Sequence, residues 1–445
     1  MLFRSQRRQV MSIIRSSLLL GAPAGAAGYN ISRSLRFNSS DSAYLSRTPA
    51  SAGNRKTWTW AGWVKRSALG TRQMLFGNLD SGATVGFDVE FYNDTLDIYD
   101  YNGGFGARRT TTQVFRDCSA WYHIVIVYDS TNATGADRLR LYVNGSRVTT
   151  FSSSTDPSPS ADSQYNTTAA TGIGRSGAYS SLYFDGYLAD IYFIDGQALT
   201  PTSFGAFDAT TGVWNPVAYS GSYGTNGFHL PFSDNSAATA TGLGKDTSGN
   251  GNNWTPNNLQ VTGGAAIDSL VDSPTNGTAS SGGDAGGTVV GNYATLNPLK
   301  TQTLGTFSNG NLDYTQTSAG NQNIIATMSV GGSAKWYWEI TLNSTTNSTP
   351  GISPITEALY PGNGNGFGWE VSAGAIDVNG ARTAGQPTAT AGDVIGFAFD
   401  ASTYQLRIYK NGTQTSFSPV TVTSGIEYFP AFGTTSGNSA AGSFN

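Results

Sequence analysis

Charge is what this chain has least of. Asp, Glu, Lys and Arg make up 12% of its 445 residues, about half the usual ~25%, and good helix formers are scarce as well. The net charge of -4 gives no general case for nucleic acid binding. Only two histidines occur, His123 and His229, both inside apolar strand-like runs. No Cys-His, Ser-His-Asp or histidine metal set can be composed from them, and a packed, hydrogen-bonded imidazole is expected at each. Glutamate occurs five times, at Glu90, Glu339, Glu357, Glu370 and Glu427, with no two in one strand-like run. A retaining glycosidase holds two carboxyl groups about 5–5.5 Å apart. Asp88-x-Glu90 is the one alternating carboxylate pair that includes a Glu, and it reads as a solvated sheet face. A single cysteine, Cys118, excludes an intrachain disulfide framework and reads as a buried free thiol.

What is abundant points to β-structure. Glycine occurs 56 times, nearly twice the usual ~7%, and aromatic residues reach 12% among plentiful Ser, Thr and Asn. That is the profile of all-β modules with long polar loops, with room in the length for two or three domains. One pattern recurs. Trp121 to Gly145 and Gly392 to Gly412 each hold an apolar run closing on an Asp (Asp129, Asp400), a turn, and then L-x-[LI]-Y-x-N-G. Alternation puts Leu139, Leu141 and Val143 on one face and Arg138, Arg140 and Tyr142 on the other, and the Asn-Gly pair supplies the positive-φ turn of a hairpin. Two separate β-domains follow, each built around such a hairpin.

Charge is also unevenly spread. Residues 1–72 hold 12 Lys and Arg against one acid, Asp41, so the remainder is strongly acidic. Residues 1–34 carry Arg4, Arg7, Arg8 and Arg15 ahead of an apolar run with a small-residue tail, and the only helix expected is Gln9 to Leu20. By shape this is a signal peptide; a basic arm on an acidic body instead implies docking onto another protein, and a docking arm is the expectation adopted. The run is too short to span a bilayer.

From residue 35 the chain becomes strands. Leu35-Arg36-Phe37, Tyr44-Leu45, Trp58 to Val64, Trp121-Tyr122-His123, Asn144-Gly145, Ile173-Gly174 and Phe184-Asp185-Gly186 through Leu199-Thr200-Pro201 succeed one another. Residues 35–205 thereby resemble a laminin-G-like module of the concanavalin-A-like lectin and glucanase superfamily, which implies a jelly-roll sandwich whose first and last strands pair. Residues 206–290 are rich in turn residues, too long for a regular element, and can be pinned by Trp214, Phe228, Leu230, Phe232 and Trp254. This segment resembles the connector that follows such modules in phage virion proteins. Residues 291–445 resemble a SPRY domain through Lys335 to Glu339, Gly366-Phe367-Gly368, Gly392 to Gly396, Leu406 to Gly412 and Tyr428 to Ala431. The chain stops at Gly-Ser-Phe-Asn, where that family normally has its last strand. The fold expected is therefore all-β, two tandem jelly-roll, concanavalin-A-like antiparallel sandwiches with a short N-terminal arm.

Ligand chemistry is sparser. Calcium is the cofactor best supplied with oxygens: Asp246-x-Ser248-x-Asn250-Gly251 has the early positions of a calcium loop, although Asn257 stands where the bidentate Glu belongs. Asp41 and Asp185 are further calcium candidates, near module ends expected to pair. Tyr99, Tyr101, Tyr179 and Tyr360 fall in polar, Gly-rich surroundings and are either loop anchors or platforms for a sugar. Together the resemblances imply a non-enzymatic phage virion protein, a tail fibre or appendage. Its partners would be other virion proteins through the arm and a host surface glycan or receptor, with a trimer by analogy. A capsid decoration or head fibre protein, a polysaccharide-degrading enzyme and a secreted adhesin are the alternatives.

Overall fold

The computed structural model describes residues 29–262, 267–274, 290–300, 304–437 and 440–444. The expected arm, its helix and Arg4, Arg7, Arg8 and Arg15 lie outside the described residues. Among those described there is no α-helix, only short 3₁₀ turns between strands. They form two compact units, one ending at Asn292 and the other beginning at Tyr293.

In the first unit thirteen strands make the frame: β1 (Ser34–Phe37), β2 (Tyr44–Arg47), β3 (Thr57–Arg66), β4 (Gln73–Gly77), β5 (Val85–Tyr92), β6 (Thr95–Asn102), β7 (Phe105–Val114), β8 (Tyr122–Asp129), β9 (Leu139–Val143), β10 (Ser146–Arg147), β11 (Phe151–Thr155), β12 (Thr171–Ile173) and β13 (Gly186–Asp195). One sheet runs β10-β9-β8-β3-β13-β1 and the other β11-β7-β6-β5-β4-β12-β2. The first and last of these strands do pair, with Leu35 opposite Leu188. Leu139, Leu141 and Val143 are buried and Arg140 and Tyr142 half-buried, as alternation requires. Between the sheets Trp58 stacks on Tyr128 with ring centroids 5.5 Å apart, and Trp60 stacks on Phe76 at 4.5 Å. Each such ring buries roughly 150–250 Å², a gross hydrophobic gain on the order of 4–6 kcal/mol. Cys118 is buried and free, and burial pushes its thiol up to about 12.

The segment after β13 is less irregular than its composition implies. Thr255–Asn257 extends one sheet beyond β2, Ser269–Leu270 extends the other beyond β1, and Phe228–Leu230 pairs with β13. Trp214, Phe228, Leu230, Phe232 and Trp254 are all buried. Two ion pairs with both side chains buried fasten this segment, Arg36 to Asp268 at 3.3 Å and Lys65 to Asp272 at 2.8 Å, and Asp272 also accepts from the Trp121 indole at 3.1 Å. Charges this deep are tolerated because each is paired and hydrogen-bonded.

The second unit is also two antiparallel sheets. One contains, in spatial order, Gly305–Ser308, Asp313–Gln316, Ala441–Phe444, Lys335–Ser344, Val394–Asp400, Gln405–Lys410 and Thr413–Gln414; the other contains Gly320–Ile325, Tyr428–Gly437, Ser348–Pro354, Phe367–Glu370, Ala375–Val378 and Ala381–Thr383. Ala441–Phe444 lies between Asp313–Gln316 and Lys335–Ser344 and pairs with both. Trp338 and Phe397 stack at 5.2 Å in the core. Both Asn-Gly turns adopt positive φ, 46° and 78° at Asn144 and Gly145, 49° and 79° at Asn411 and Gly412.

Candidate functional site

The face of the β2–β12–β4–β5–β6–β7 sheet turned away from the core gathers most of the chemistry. On β5, Phe87, Val89 and Phe91 enter the core, so alternation sends Asp88 and Glu90 to the opposite face. There they meet Asp97 and Tyr99 from β6, since Asp88 pairs with Tyr99 and Glu90 with Asp97 in the register. The expected solvated pair is instead buried. Asp88 accepts from Ser176 Oγ and, at 3.3 Å, from the Tyr99 hydroxyl, while Glu90 takes the Arg72 guanidinium at 2.7 Å. The reason is a distant loop. Residues 174–184 fold along β4, with the Gly177 amide donating to Gly77 and the Met74 amide to Leu182, and Ser176 caps the Asp88 carboxyl.

Burial, helped by the neighbouring Glu90, pushes Asp88 up to about 7 and raises Glu90 against the pull of Arg72. Tyr99 is raised too, by burial and by the Asp88 charge. Two carboxyls with raised affinity for protons are a glycosidase-like ingredient. A general acid must nevertheless reach the glycosidic oxygen, and Asp88 is 0% exposed and Glu90 2%. The pair is closed off by its own partners.

Beside it the face opens. Tyr101 and Phe105 end β6 and begin β7, 5.2 Å apart edge to face, with Phe105 44% exposed and the Arg108 guanidinium 4.4 Å over its ring. Arg108 in turn donates twice to Asp97, at 3.2 and 2.7 Å. Tyr99, expected in a loop, is a buried strand residue touching Phe105 at 5.8 Å. Tyr179 is half-buried in the 174–184 loop. At the other end of the face, Tyr44 points outward from β2, since its neighbour Leu45 enters the core. Arg175 lies 3.8 Å over the Tyr44 ring and 6.0 Å from that of Tyr183. In the sequence Tyr44 and Arg175 are far apart and no local pattern joins them.

The histidines behave differently from each other. His123 is the packed imidazole expected: the Trp214 indole donates to its Nδ1 at 3.0 Å, Trp63 lies 4.8 Å away, and burial lowers it to about 3. His229 does build a chain of the kind the sequence shows no means to compose. Its Nε2 is 2.7 Å from Asp190 Oδ1 and its Nδ1 2.8 Å from Thr247 Oγ1, with Tyr192 stacked at 4.1 Å. The neighbouring amides are spent, however: Thr247 N donates to the His229 carbonyl and Ser248 N to Asp246. The chain joins His229 and Thr247 of the connector to Asp190 of β13.

Asp246 is saturated by the protein. Its Oδ1 accepts from the His229 and Ser248 amides and its Oδ2 from Ser248 Oγ and the Asn252 amide, all at 2.8–2.9 Å. Asn250 donates to the Gly224 and Gly227 carbonyls. Calcium there would have to displace these bonds. Asp185 accepts from the Ser39 amide and hydroxyl, and Asp41 accepts from Asn38. Among the described residues no three His, Cys, Asp or Glu side chains are grouped to hold a metal. In the second unit Tyr360 is half-buried in a loop that Glu357 ties together by accepting from the Gly364 amide at 2.7 Å, and Ile355 and Leu359 stand exposed beside it.

Residues 38–203 match the family model of the concanavalin A-like lectin/glucanases superfamily. Residues 335–445 match that of the SPRY domain. The first sandwich is thus similar to the concanavalin A-like lectin/glucanases superfamily and the second to the SPRY domain. Among solved structures, the SPRY domain of human HERC1 is 19% identical, covering 34% of this chain and 96% of that one, with a TM-score of 0.29. The native heptameric SAP-like pentraxin of Limulus polyphemus is 15% identical, covering 39% and 80%, at 0.29. Domains LG4-5 of the mouse laminin alpha1 chain are 11% identical, covering 95% and 91%, at 0.32. No curated protein matches the chain. No helix among the described residues is long and apolar enough to cross a membrane.

Proposed function

We propose that this chain is a non-enzymatic structural protein of a bacteriophage virion, a tail fibre or appendage on the particle surface. Its basic arm docks on other virion proteins, it assembles as a homotrimer, and its lectin-like sandwich holds a host surface glycan or receptor. The observation that carries the binding reading is the outward face of the β2–β7 sheet. It offers half-exposed aromatic rings at Tyr101, Phe105, Tyr44 and Tyr183 beside a carboxylate pair sealed from solvent. Aromatic faces hold the C–H side of a sugar, whereas cleavage needs the carboxyls in reach. The virion reading is supported by the order of arm, lectin-like module, Gly/Asn-rich connector and SPRY sandwich.

Binding of the full-length protein to host envelope polysaccharide should fall at least tenfold in Phe105→Ala, with no new reducing ends released. Sustained release of oligosaccharide would replace binding by hydrolysis. Gold-labelled antibody against the chain should mark the tail of intact particles. Label on the capsid would instead favour a decoration or head fibre protein.

A further inference from the structure

The arginines of the first unit are, for the most part, committed. Arg36, Arg66, Arg72, Arg108, Arg109 and Arg147 each meet a carboxylate within 3.3 Å. Arg138, which has no acidic partner among the described residues, spends its donors on three backbone carbonyls. Arg175 is held in another way. Its guanidinium carbon lies 3.8 Å over the Tyr44 ring and 6.0 Å from that of Tyr183, it donates one hydrogen bond, from Nη2 to the Gly177 carbonyl at 2.7 Å, and its Nε is buried without a partner. No carboxylate among the described residues forms an ion pair with it. A guanidinium laid on a ring is fixed in orientation while its charge stays available, and its planar edge fits a two-oxygen anion.

The surroundings suit a sugar. Tyr44 and Tyr183 are half-buried, Ser180 and Ser181 are exposed on the same loop with Tyr179, and Ser46 faces outward next to Tyr44 on β2. The loop that carries Arg175 is tied down through Ser176 to Asp88, so the tray is positioned by a buried network rather than by its own exposed residues. We infer that Arg175, on its Tyr44–Tyr183 tray, is an anion subsite for a carboxylate-bearing sugar of the uronate kind. The carboxylate meets the Nη1 edge of the guanidinium and the sugar ring lies against the tyrosines. This rests on the glycan-binding reading and names the class of glycan.

The experiment uses the full chain, with polygalacturonate and dextran as acidic and neutral probes and dextran sulfate as a third arm, titrated at low and high salt. Polygalacturonate should bind at least tenfold more tightly than dextran, and the preference should weaken as salt rises. Arg175→Gln should lose that preference through a fall of at least tenfold in polygalacturonate affinity, with its melting temperature retained. Arg175→Lys, which keeps the charge and loses the fork, should fall between the two. Equal affinity for polygalacturonate and dextran overturns the inference and leaves glycan binding standing. A preference that survives Arg175→Gln, or one for dextran sulfate over polygalacturonate, overturns it as well. Binding of none of the three probes also overturns it, and the envelope-polysaccharide assay with Phe105→Ala then judges the wider reading separately.

Discussion

The two sandwiches share a hairpin but are completed differently. The first is fastened by charge and by chain that follows it: Asp268 and Asp272, both beyond β13, reach back to buried Arg36 and Lys65. The second draws on apolar packing around Trp336, Trp338, Trp369 and Phe397. Its ion pairs, such as Lys410 with Asp393 and Arg382 with Glu370, have side chains at least a third exposed on the basic partner. The first sandwich is therefore fastened by a segment that composition marks as a linker, the second by its own strands.

The sharpest way to break that comparison is truncation. A chain ending at Phe207 should fail to give a cooperative unfolding transition by circular dichroism, whereas one ending at Asn292 should give one, because the later segment adds a strand to each sheet. Next comes charge. Asp272→Ala leaves Lys65 buried without its carboxylate and should cost about 3–5 kcal/mol in urea titration, while Lys410→Ala, removing the pair to Asp393, should cost no more than ~1 kcal/mol. The equivalent hairpin glycines separate the units more finely. Both have positive φ, but a Cβ on Gly145 would meet the Trp214 ring at 2.4 Å and one on Gly412 would meet nothing within 4 Å. Gly412→Ala should cost about 1–2 kcal/mol for conformation alone, and Gly145→Ala a further ~1–3 kcal/mol for overpacking.

The smallest expected effect is one of pH. Asp88 moves from 3.8 to about 7 on folding, through burial first and Glu90 second. Between those values the folded chain keeps a proton that the unfolded chain has lost, so stability contributed by this group falls as pH rises from about 4 to about 7. The first unit should melt higher at pH 5 than at pH 8. Asp88→Asn should flatten that slope, with Asp100, pushed up to about 6 mainly by burial, leaving part of it.

Much of the fold is legible in short patterns. Leu139-x-Leu141-x-Val143 and the Asn-Gly turns are local, and local alternation decides which face is buried. What escapes is long-range. Asp88-x-Glu90 has the alternation of a solvated face, and only Ser176, 88 residues later, turns it into a buried one. The connector hides its strands because each is two or three residues long among glycines and asparagines. Arg175 on Tyr44 and Thr247 on His229 are likewise products of register and loop path, which no spacing rule in the sequence records.

The reach of Arg36 to Asp268, 232 residues along the chain, also sets a clock. At about 5–20 residues per second, a ribosome needs roughly 10–50 s to deliver the acid after the base. Throughout that interval β1 lacks its Ser269–Leu270 neighbour and presents an open edge of the kind that invites pairing with other chains. Nascent molecules on one messenger are most exposed to mutual pairing in that window, and slower translation of residues 206–292 would widen it.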